Sequence, residues 1–181
     1  MFILYAVVIG LVVGLLAGGR IAGLAELRIR WSPLIAVGLL AQVLLFSEAV
    51  ASRVGDLGPP LYIASTLMVV AAVLRNLSIP GIPIVVLGAA CNLAAIATNG
   101  GYMPASRSAL EASGKAAPVI YSNSSVVPDP ALWPLTDIFA LPSWLPLANV
   151  FSIGDVLIGV GIAMAIVVAM HRPAVARPSP A

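Results

Sequence analysis

Charged side chains are scarce in this chain. Asp, Glu, Lys and Arg make up 9% of its 181 residues, against about 25% in ordinary soluble domains. Hydrophobic residues make up 61%, and the mean hydropathy is +1.09. So few charges cannot cover the water-facing surface of a fold of this size. The composition therefore excludes a soluble globular domain, a disordered chain and a nucleic-acid-binding protein, and it indicates an all-α integral membrane protein.

Cysteine and histidine occur once each, as Cys91 and His171. One cysteine cannot form an intrachain disulfide, and a zinc site needs several Cys or His ligands. A Ser-His-Asp relay needs contacts of about 3 Å, but His171 and most of the acids are predicted on opposite sides of the membrane. No phosphate-binding or dinucleotide-binding glycine motif is present. We therefore expect no catalytic residue, no metal and no cofactor.

Five apolar runs approach the roughly 20 residues that a helix needs to cross a bilayer. Backbone groups in lipid must be paired within their own segment, so these runs are predicted to be helices. They cover residues 1–19, 33–51, 60–74, 82–98 and 155–170, the third being the shortest. Residues 1–170 are thus predicted to form one transmembrane helical domain, and residues 171–181 a flexible cytoplasmic tail.

The positive charges are distributed unequally between the predicted connections. Six of the nine Lys and Arg residues fall on one side, and they are Arg20, Arg28, Arg30, Arg75, Arg172 and Arg177. The positive-inside rule then places the N-terminus outside and the C-terminus in the cytoplasm. Because Arg20 follows the first apolar run instead of preceding it, that run is not typical of a cleaved signal peptide.

The connection formed by residues 99–154 is unusually long for a small bundle. It is rich in proline and contains Trp133 and Trp144. Apolar segments that prolines interrupt and that carry tryptophans are typical of the membrane interface. We expect this segment in the outer interface, either on the rim of the bundle or plugging it.

Small residues recur at four-residue spacing on the first and last predicted helices. They are Gly10, Gly14 and Gly18, and Gly161 and Ala165. This spacing lets helix backbones approach closely in lipid. Packing within the monomer is the favoured interpretation, and a face for a partner membrane protein or a second copy is the alternative.

Three amide side chains are candidate binding residues. Gln42 and Asn92 lie within predicted helices, where hydrogen bonds to neighbouring helices are their favoured role and the lining of a solute pathway is the alternative. Asn99 begins an Asn-Gly-Gly sequence that is typical of a helix end.

Three charged residues complete the candidates. Arg20 is expected to extend its side chain towards the headgroups, or to hold a lipid phosphate or an acid on a partner. Asp155 at a helix start is favoured by the helix dipole. Asp137 in the outer segment would form a catalytic or cation-binding pair with Asp155 only if the two carboxylates met.

Several strings together resemble a known family. The most specific are Asn-Gly-Gly-Tyr-Met-Pro at 99–104 and Ser-Ile-Gly-Asp at 152–155. With Gly18-Gly19-Arg20, Gln42, Asn92 and Asp137, they resemble DUF5317, a bacterial family of small multi-pass membrane proteins of unknown function. The resemblance covers nearly the whole chain. It implies a bacterial plasma (inner) membrane location and a single domain, and it implies no activity, cofactor or catalytic residue.

The sequence favours a non-catalytic accessory, scaffold or assembly protein in the lipid bilayer. This hypothesis depends on the small-residue faces and on the scarcity of ionisable residues within the helices. A carrier or channel for a small solute or ion is the alternative, and an intramembrane enzyme is the less favoured one.

Overall fold

The computed structural model describes residues 2–115 and 124–172, and the predicted tail beyond Arg172 lies outside these ranges. The described chain is mostly helical. Its helices are α1 (Phe2–Leu16), α2 (Ser32–Leu45), α3 (Glu48–Ala51), α4 (Gly58–Leu74), α5 (Ile82–Thr98), α6 (Arg107–Ala112) and α7 (Ile153–Met170). Short 3-10 helices cover Ile21–Glu26, Gly55–Leu57 and Trp133–Leu135.

Two helical segments among the described residues are long and apolar enough to cross a membrane. They are Gly55–Leu74, with 20 residues, and α7, with 18. Helices α1, α2 and α5 have 15, 14 and 17 residues. The five full-length spans predicted from the sequence are therefore not confirmed.

Two local breaks explain the shorter helices. The first helix ends at Leu16, and Gly18 adopts a left-handed backbone with φ of 83°. The predicted run 33–51 is interrupted at Phe46 and Ser47, after which α3 starts as a separate helix. Apolar or small residues resume after each break, so the length of the predicted run overestimates the length of the helix.

The long helices pack in the order α1, α7, α5, α4, α2. Helix α1 runs parallel to α7, because Gly10 lies against Ala163 and Gly14 lies against Met170 further along both helices. Helices that are first and last in the chain are thus neighbours with the same direction. When consecutive long helices alternate in direction, the first and the fifth point the same way, as α1 and α7 do.

The other long helices pack antiparallel. Gly88 of α5 lies against Gly154 near the start of α7, and Gly81 lies against Gly161 further along it. Helix α4 also packs antiparallel to α2. The connections therefore gather at two ends, which differ in charge.

We call these the basic end and the acidic end. Among the described residues, the basic end has five arginines and one acid, and the acidic end has six acids and three basic residues. The basic end comprises residues 17–31, 75–81 and 171–172. The acidic end comprises residues 46–57, 99–115 and 124–152 and includes Asp155 at the start of α7.

Residues 99–115 and 124–152 form a small folded unit at the acidic end, which we call the cap. Strand β1 (Met103–Pro104) pairs in parallel with β2 (Ser124–Ser125), and β3 (Phe139–Ala140) pairs antiparallel with β4 (Val150–Phe151). The cap has a buried cluster of its own, formed by Ala105, Ala109, Leu110 and Val150. The segment is thus held together by its own side-chain packing.

Candidate functional site

A closed polar cluster joins α5 to the start of α7. The Asn92 amide nitrogen donates to Asp155 Oδ1 at 2.9 Å, and Ser152 Oγ donates to Asn92 Oδ1 at 2.8 Å. Ser152 and Asp155 also form a capping box, in which Ser152 Oγ accepts from the Asp155 backbone at 3.1 Å and Asp155 Oδ2 accepts from the Ser152 backbone at 3.1 Å. Each of the three side chains therefore uses its polar groups within the cluster.

Close backbone approach brings Asn92 within reach of α7. A Cβ on Gly154 would overlap Asn92 Oδ1 and would lie 2.7 Å from the Gly88 carbonyl oxygen. Ser152 is fully buried, and Asn92 and Asp155 are half-buried. The cluster can hold two helices in register.

Gln42 lies in a different part of the helix row. Its amide nitrogen donates to Thr66 Oγ1 at 3.2 Å, which joins α2 to α4. Helix α4 separates α2 from α5 and α7. The structure therefore does not bring Gln42 together with Asn92 and Asp155.

Asn99 connects the end of α5 to the cap. Its amide nitrogen donates to the Ala95 carbonyl at 2.7 Å and to the Ala131 carbonyl at 2.9 Å. Its amide oxygen accepts from the Ala131 backbone nitrogen at 2.9 Å. The side chain thus pairs with the backbone of Ala131 as a neighbouring strand would.

Asp137 is buried within the cap, with 4% of its surface exposed. Its backbone nitrogen donates to the Pro104 carbonyl at 2.8 Å, and its carbonyl accepts from the Ser106 nitrogen at 3.0 Å. Asp137 therefore continues the pairing of β1, whereas Asp155 belongs to the cluster between α5 and α7.

Arg20 bonds to the end of α7 at the basic end. Its backbone nitrogen donates to the Met170 carbonyl at 2.8 Å, and its guanidinium donates to the Arg172 carbonyl at 3.1 Å. The side chain is exposed. Arg20 thus ties the chain that leaves α1 to the carbonyl end of its parallel neighbour.

His171 bridges the carbonyl ends of the same two helices. Nδ1 lies 2.8 Å from the Val167 carbonyl oxygen, and Nε2 lies 3.0 Å from the Ala17 carbonyl oxygen. Both partners are acceptors, so only the protonated imidazolium donates to both. The Val167 and Ala17 carbonyls raise the pKa of His171 above its ordinary value of 6.5, and desolvation opposes them.

Asn76 was not among the residues predicted from the sequence. At the basic end it makes the same kind of contact that Asn99 makes with the cap. It is 3% exposed, and its amide oxygen accepts from the Arg30 nitrogen at 2.7 Å. Its amide nitrogen donates to the carbonyls of Arg30 and Ala72 at 2.8 and 2.7 Å. An asparagine just after a predicted helix end is the available sequence signal, and Asn99 shares it.

An aromatic contact lies beside this hydrogen-bonded pair. The Arg75 guanidinium carbon lies 5.3 Å from the centre of the Trp31 ring. This is the distance range of a cation–π interaction. The Arg30-Trp31 and Arg75-Asn76 dipeptides are therefore joined twice. The Asn76 side chain bonds to the Arg30 backbone, and the Arg75 side chain contacts the Trp31 side chain.

The predicted packing residues divide into two groups. Gly10 and Gly14 lie against α7, and Gly161 and Ala165 lie against Gly81 at the start of α5. These small residues therefore allow close contacts within the chain. Gly18 does not belong to this face, because it lies beyond α1 and a Cβ there would meet no atom within 4 Å.

Comparison with known proteins gives a family and no function. The family model described as a family of unknown function (DUF5317) matches residues 26–167, which confirms the resemblance seen in the sequence. No curated protein and no solved structure matches the chain significantly. Because the matched region spans most of the long helices and the cap, the chain belongs to the DUF5317 family.

Proposed function

We propose that this protein is a non-catalytic scaffold or assembly component that crosses a bacterial plasma membrane five times. In this arrangement the acidic end and the cap face outward, and the basic end faces the cytoplasm. The unequal charges of the two ends support this orientation, since arginines favour the cytoplasmic side. The multi-pass arrangement also accounts for the parallel packing of α1 and α7.

Exposed apolar side chains support lipid as the surroundings of the helix row. Helices α1 and α2, at the two edges of the row, expose many large hydrophobic groups. These include Leu4, Val8, Ile9, Val12 and Val13 on α1, and Val37, Leu39, Leu40, Val43 and Leu44 on α2. Water would hydrate this surface unfavourably, whereas acyl chains would cover it.

The short helices are compatible with a bilayer. At about 1.5 Å per residue, a helix of 14 to 17 residues is about 21 to 26 Å long. A hydrocarbon core of about 30 Å adapts to such helices by local thinning and by extension of flanking side chains towards the headgroups. The arginines at the basic end are placed to extend in this way.

The proposal of a scaffold rests on buried polar side chains that already have hydrogen-bond partners within the protein. Among the described residues, no buried side-chain nitrogen or oxygen lacks a hydrogen-bond partner. Gln42, Asn92 and Asp155 are each engaged by another side chain of the same protein. A transport pathway or active site needs polar groups that converge on an open space. The residues predicted from the sequence for such a role instead form hydrogen bonds between helices.

The cap provides the surface for partners in this account. Its large exposed side chains include Trp133 and Trp144, which are 55% and 78% exposed. Tryptophan is enriched at protein interfaces and at the membrane interface. The small-residue faces of α1 and α7 are occupied within the chain, so a partner would contact the cap.

Site-specific photo-crosslinking tests the proposal in membranes of the producing cell. A photoreactive amino acid at Trp144 is expected to trap one discrete membrane protein, while the same group at Leu40 on α2 contacts lipid and gives no protein adduct. The adduct should persist after mild detergent extraction. Absence of an adduct at both Trp133 and Trp144, with a lone monomer in detergent, would contradict the scaffold role.

A further inference from the structure

We propose that Arg30, Trp31 and Arg75 form a binding site for the headgroup of an anionic phospholipid. This proposal rests on the membrane arrangement proposed above, in which these residues lie at the cytoplasmic ends of α2 and α4. The ligand would place its phosphate between the two guanidinium groups and its acyl chains along the adjoining helices.

The backbone of the site is fixed independently of its arginine side chains. The buried Asn76 side chain holds both the nitrogen and the carbonyl of Arg30. Trp31 follows in the left-handed conformation, with φ of 58°, which is uncommon for a residue other than glycine. A constrained loop lowers the conformational entropy lost when a ligand binds.

The guanidinium of Arg75 is held beside the indole. It lies over the Trp31 ring, 5.3 Å from the ring centre, and a guanidinium over an aromatic face keeps N–H groups that can bind phosphate oxygens. Trp31 is 51% exposed, and tryptophan favours the headgroup region of a bilayer. The pair therefore combines a phosphate-binding cation with an interfacial aromatic side chain.

Charge complementarity points to an anion. The described part of the basic end has five arginines and the single acid Glu26. At least four positive charges there thus lack a carboxylate from the same end. Anionic lipids of a cytoplasmic leaflet attract such clusters, and each Lys or Arg near the surface raises the binding constant about fivefold.

The surroundings favour a lipid over a soluble anion. Leu74 and Leu77, on either side of Arg75 and Asn76, are exposed, as is Val37 one turn into α2. A soluble phosphate compound would leave these apolar groups in water. A phospholipid would cover them with its acyl chains while its phosphate binds the arginines.

Quenching of Trp31 fluorescence by brominated lipid tests the proposal. The Trp133→Phe/Trp144→Phe variant leaves Trp31 as the only tryptophan. It would be reconstituted with brominated phosphatidylglycerol or brominated phosphatidylcholine at equal low mole fraction. We expect apparent affinity for phosphatidylglycerol to be at least about fivefold higher. Arg30→Gln/Arg75→Gln should remove the difference, and Arg53→Gln at the acidic end should preserve it.

The outcomes separate the site from the membrane arrangement. Equal quenching by both lipids, or an unchanged preference in Arg30→Gln/Arg75→Gln, would overturn the lipid site alone. No quenching by either lipid would contradict the proposed position of the basic end in the bilayer. Loss of the preference on adding millimolar inorganic phosphate would overturn the lipid assignment in favour of a free anion. Because the hydrogen bonds that Asn76 makes to Arg30 reach its backbone nitrogen and carbonyl, Arg30→Gln should keep the loop folded.

Discussion

Asn76 and Asn99 make equivalent contacts at opposite ends of the helix row. Each donates to the carbonyl four residues earlier, and each pairs with both the nitrogen and the carbonyl of one distant residue. That residue is Arg30 for Asn76 and Ala131 for Asn99. A carboxamide is the side chain that offers a donor and an acceptor at the spacing of a peptide group. One asparagine thereby fixes the connection before α2, and the other fixes part of the cap.

Replacement of Asn76 should free the loop at the basic end. Asn76→Ala removes three hydrogen bonds and leaves the Arg30 peptide groups without this partner, at a cost of about 1–3 kcal/mol. Trypsin is expected to cleave after Arg28 and Arg30 faster in the detergent-solubilised variant than in the wild type. Asn99→Ala serves as the control and should leave these rates unchanged. Equal cleavage in Asn76→Ala and the wild type would show that the pairing does not hold the loop.

The polar cluster between α5 and α7 should contribute more to stability than the contact of Gln42. Asn92→Leu breaks the bonds to Asp155 and Ser152 and leaves a half-buried carboxylate short of a donor, which costs about 1–3 kcal/mol. Gln42→Leu removes one bond to Thr66, worth about 0.6 kcal/mol on average in membrane helices. Thermal unfolding in detergent checks the order of the two midpoints. A lower midpoint for Gln42→Leu than for Asn92→Leu would contradict it.

The two small-residue contacts of α7 should respond differently to an added methyl group. A Cβ on Gly161 would lie 2.5 Å from the Gly81 carbonyl oxygen, which is backbone, whereas a Cβ on Gly14 would meet the Met170 side chain. Backbone cannot move aside locally, so Gly161→Ala should cost about 1–3 kcal/mol. Gly14→Ala should cost less, because Met170 has several rotatable bonds. Thermal midpoints measured in one detergent compare them, and the reverse order would refute this explanation.

His171 should make the contact between α1 and α7 dependent on pH. Its pKa is raised in the folded protein by the Val167 and Ala17 carbonyls, and desolvation opposes them. A raised pKa means that protonation stabilises the fold. The contribution is fully present below pH 6.5 and is lost as the pH rises through the folded-state pKa. Nuclear magnetic resonance of the imidazole should give a midpoint above 6.5.

The variant His171→Gln provides the matching control. A neutral amide does not titrate in this range, so the decline of the thermal midpoint above pH 6.5 should disappear. A wild-type protein whose stability is constant across that range would contradict the bridging role of the imidazolium.

Local features of the fold were predictable from the sequence. The spacing of Ser152 and Asp155 in the sequence is that of a capping box, and the structure contains one, because this motif depends on a single helix turn. The end of α5 at Thr98 was predicted from Asn99 and the glycines after it. Such signals do not require knowledge of the neighbouring helices.

Contacts between distant segments were not predictable in the same way. Asn92 and Asp155 are 63 residues apart, and their pairing depends on α5 and α7 being antiparallel neighbours. The break at Phe46 and Ser47 was missed because apolar residues after Glu48 resume the hydrophobic run as far as Ala51. The strands and the buried cluster of the cap were not predicted, because short strands and a small core leave no periodic pattern.

Sidedness of the two helix ends tests the proposed membrane arrangement most directly. In a Cys91→Ala background, Ser52→Cys at the acidic end and Ser78→Cys at the basic end give two exposed reporters. A membrane-impermeant maleimide applied to intact producing cells should label Ser52→Cys at once and Ser78→Cys only after permeabilisation. Labelling of both positions in intact cells, or recovery of the protein in the aqueous fraction without detergent, would contradict the arrangement.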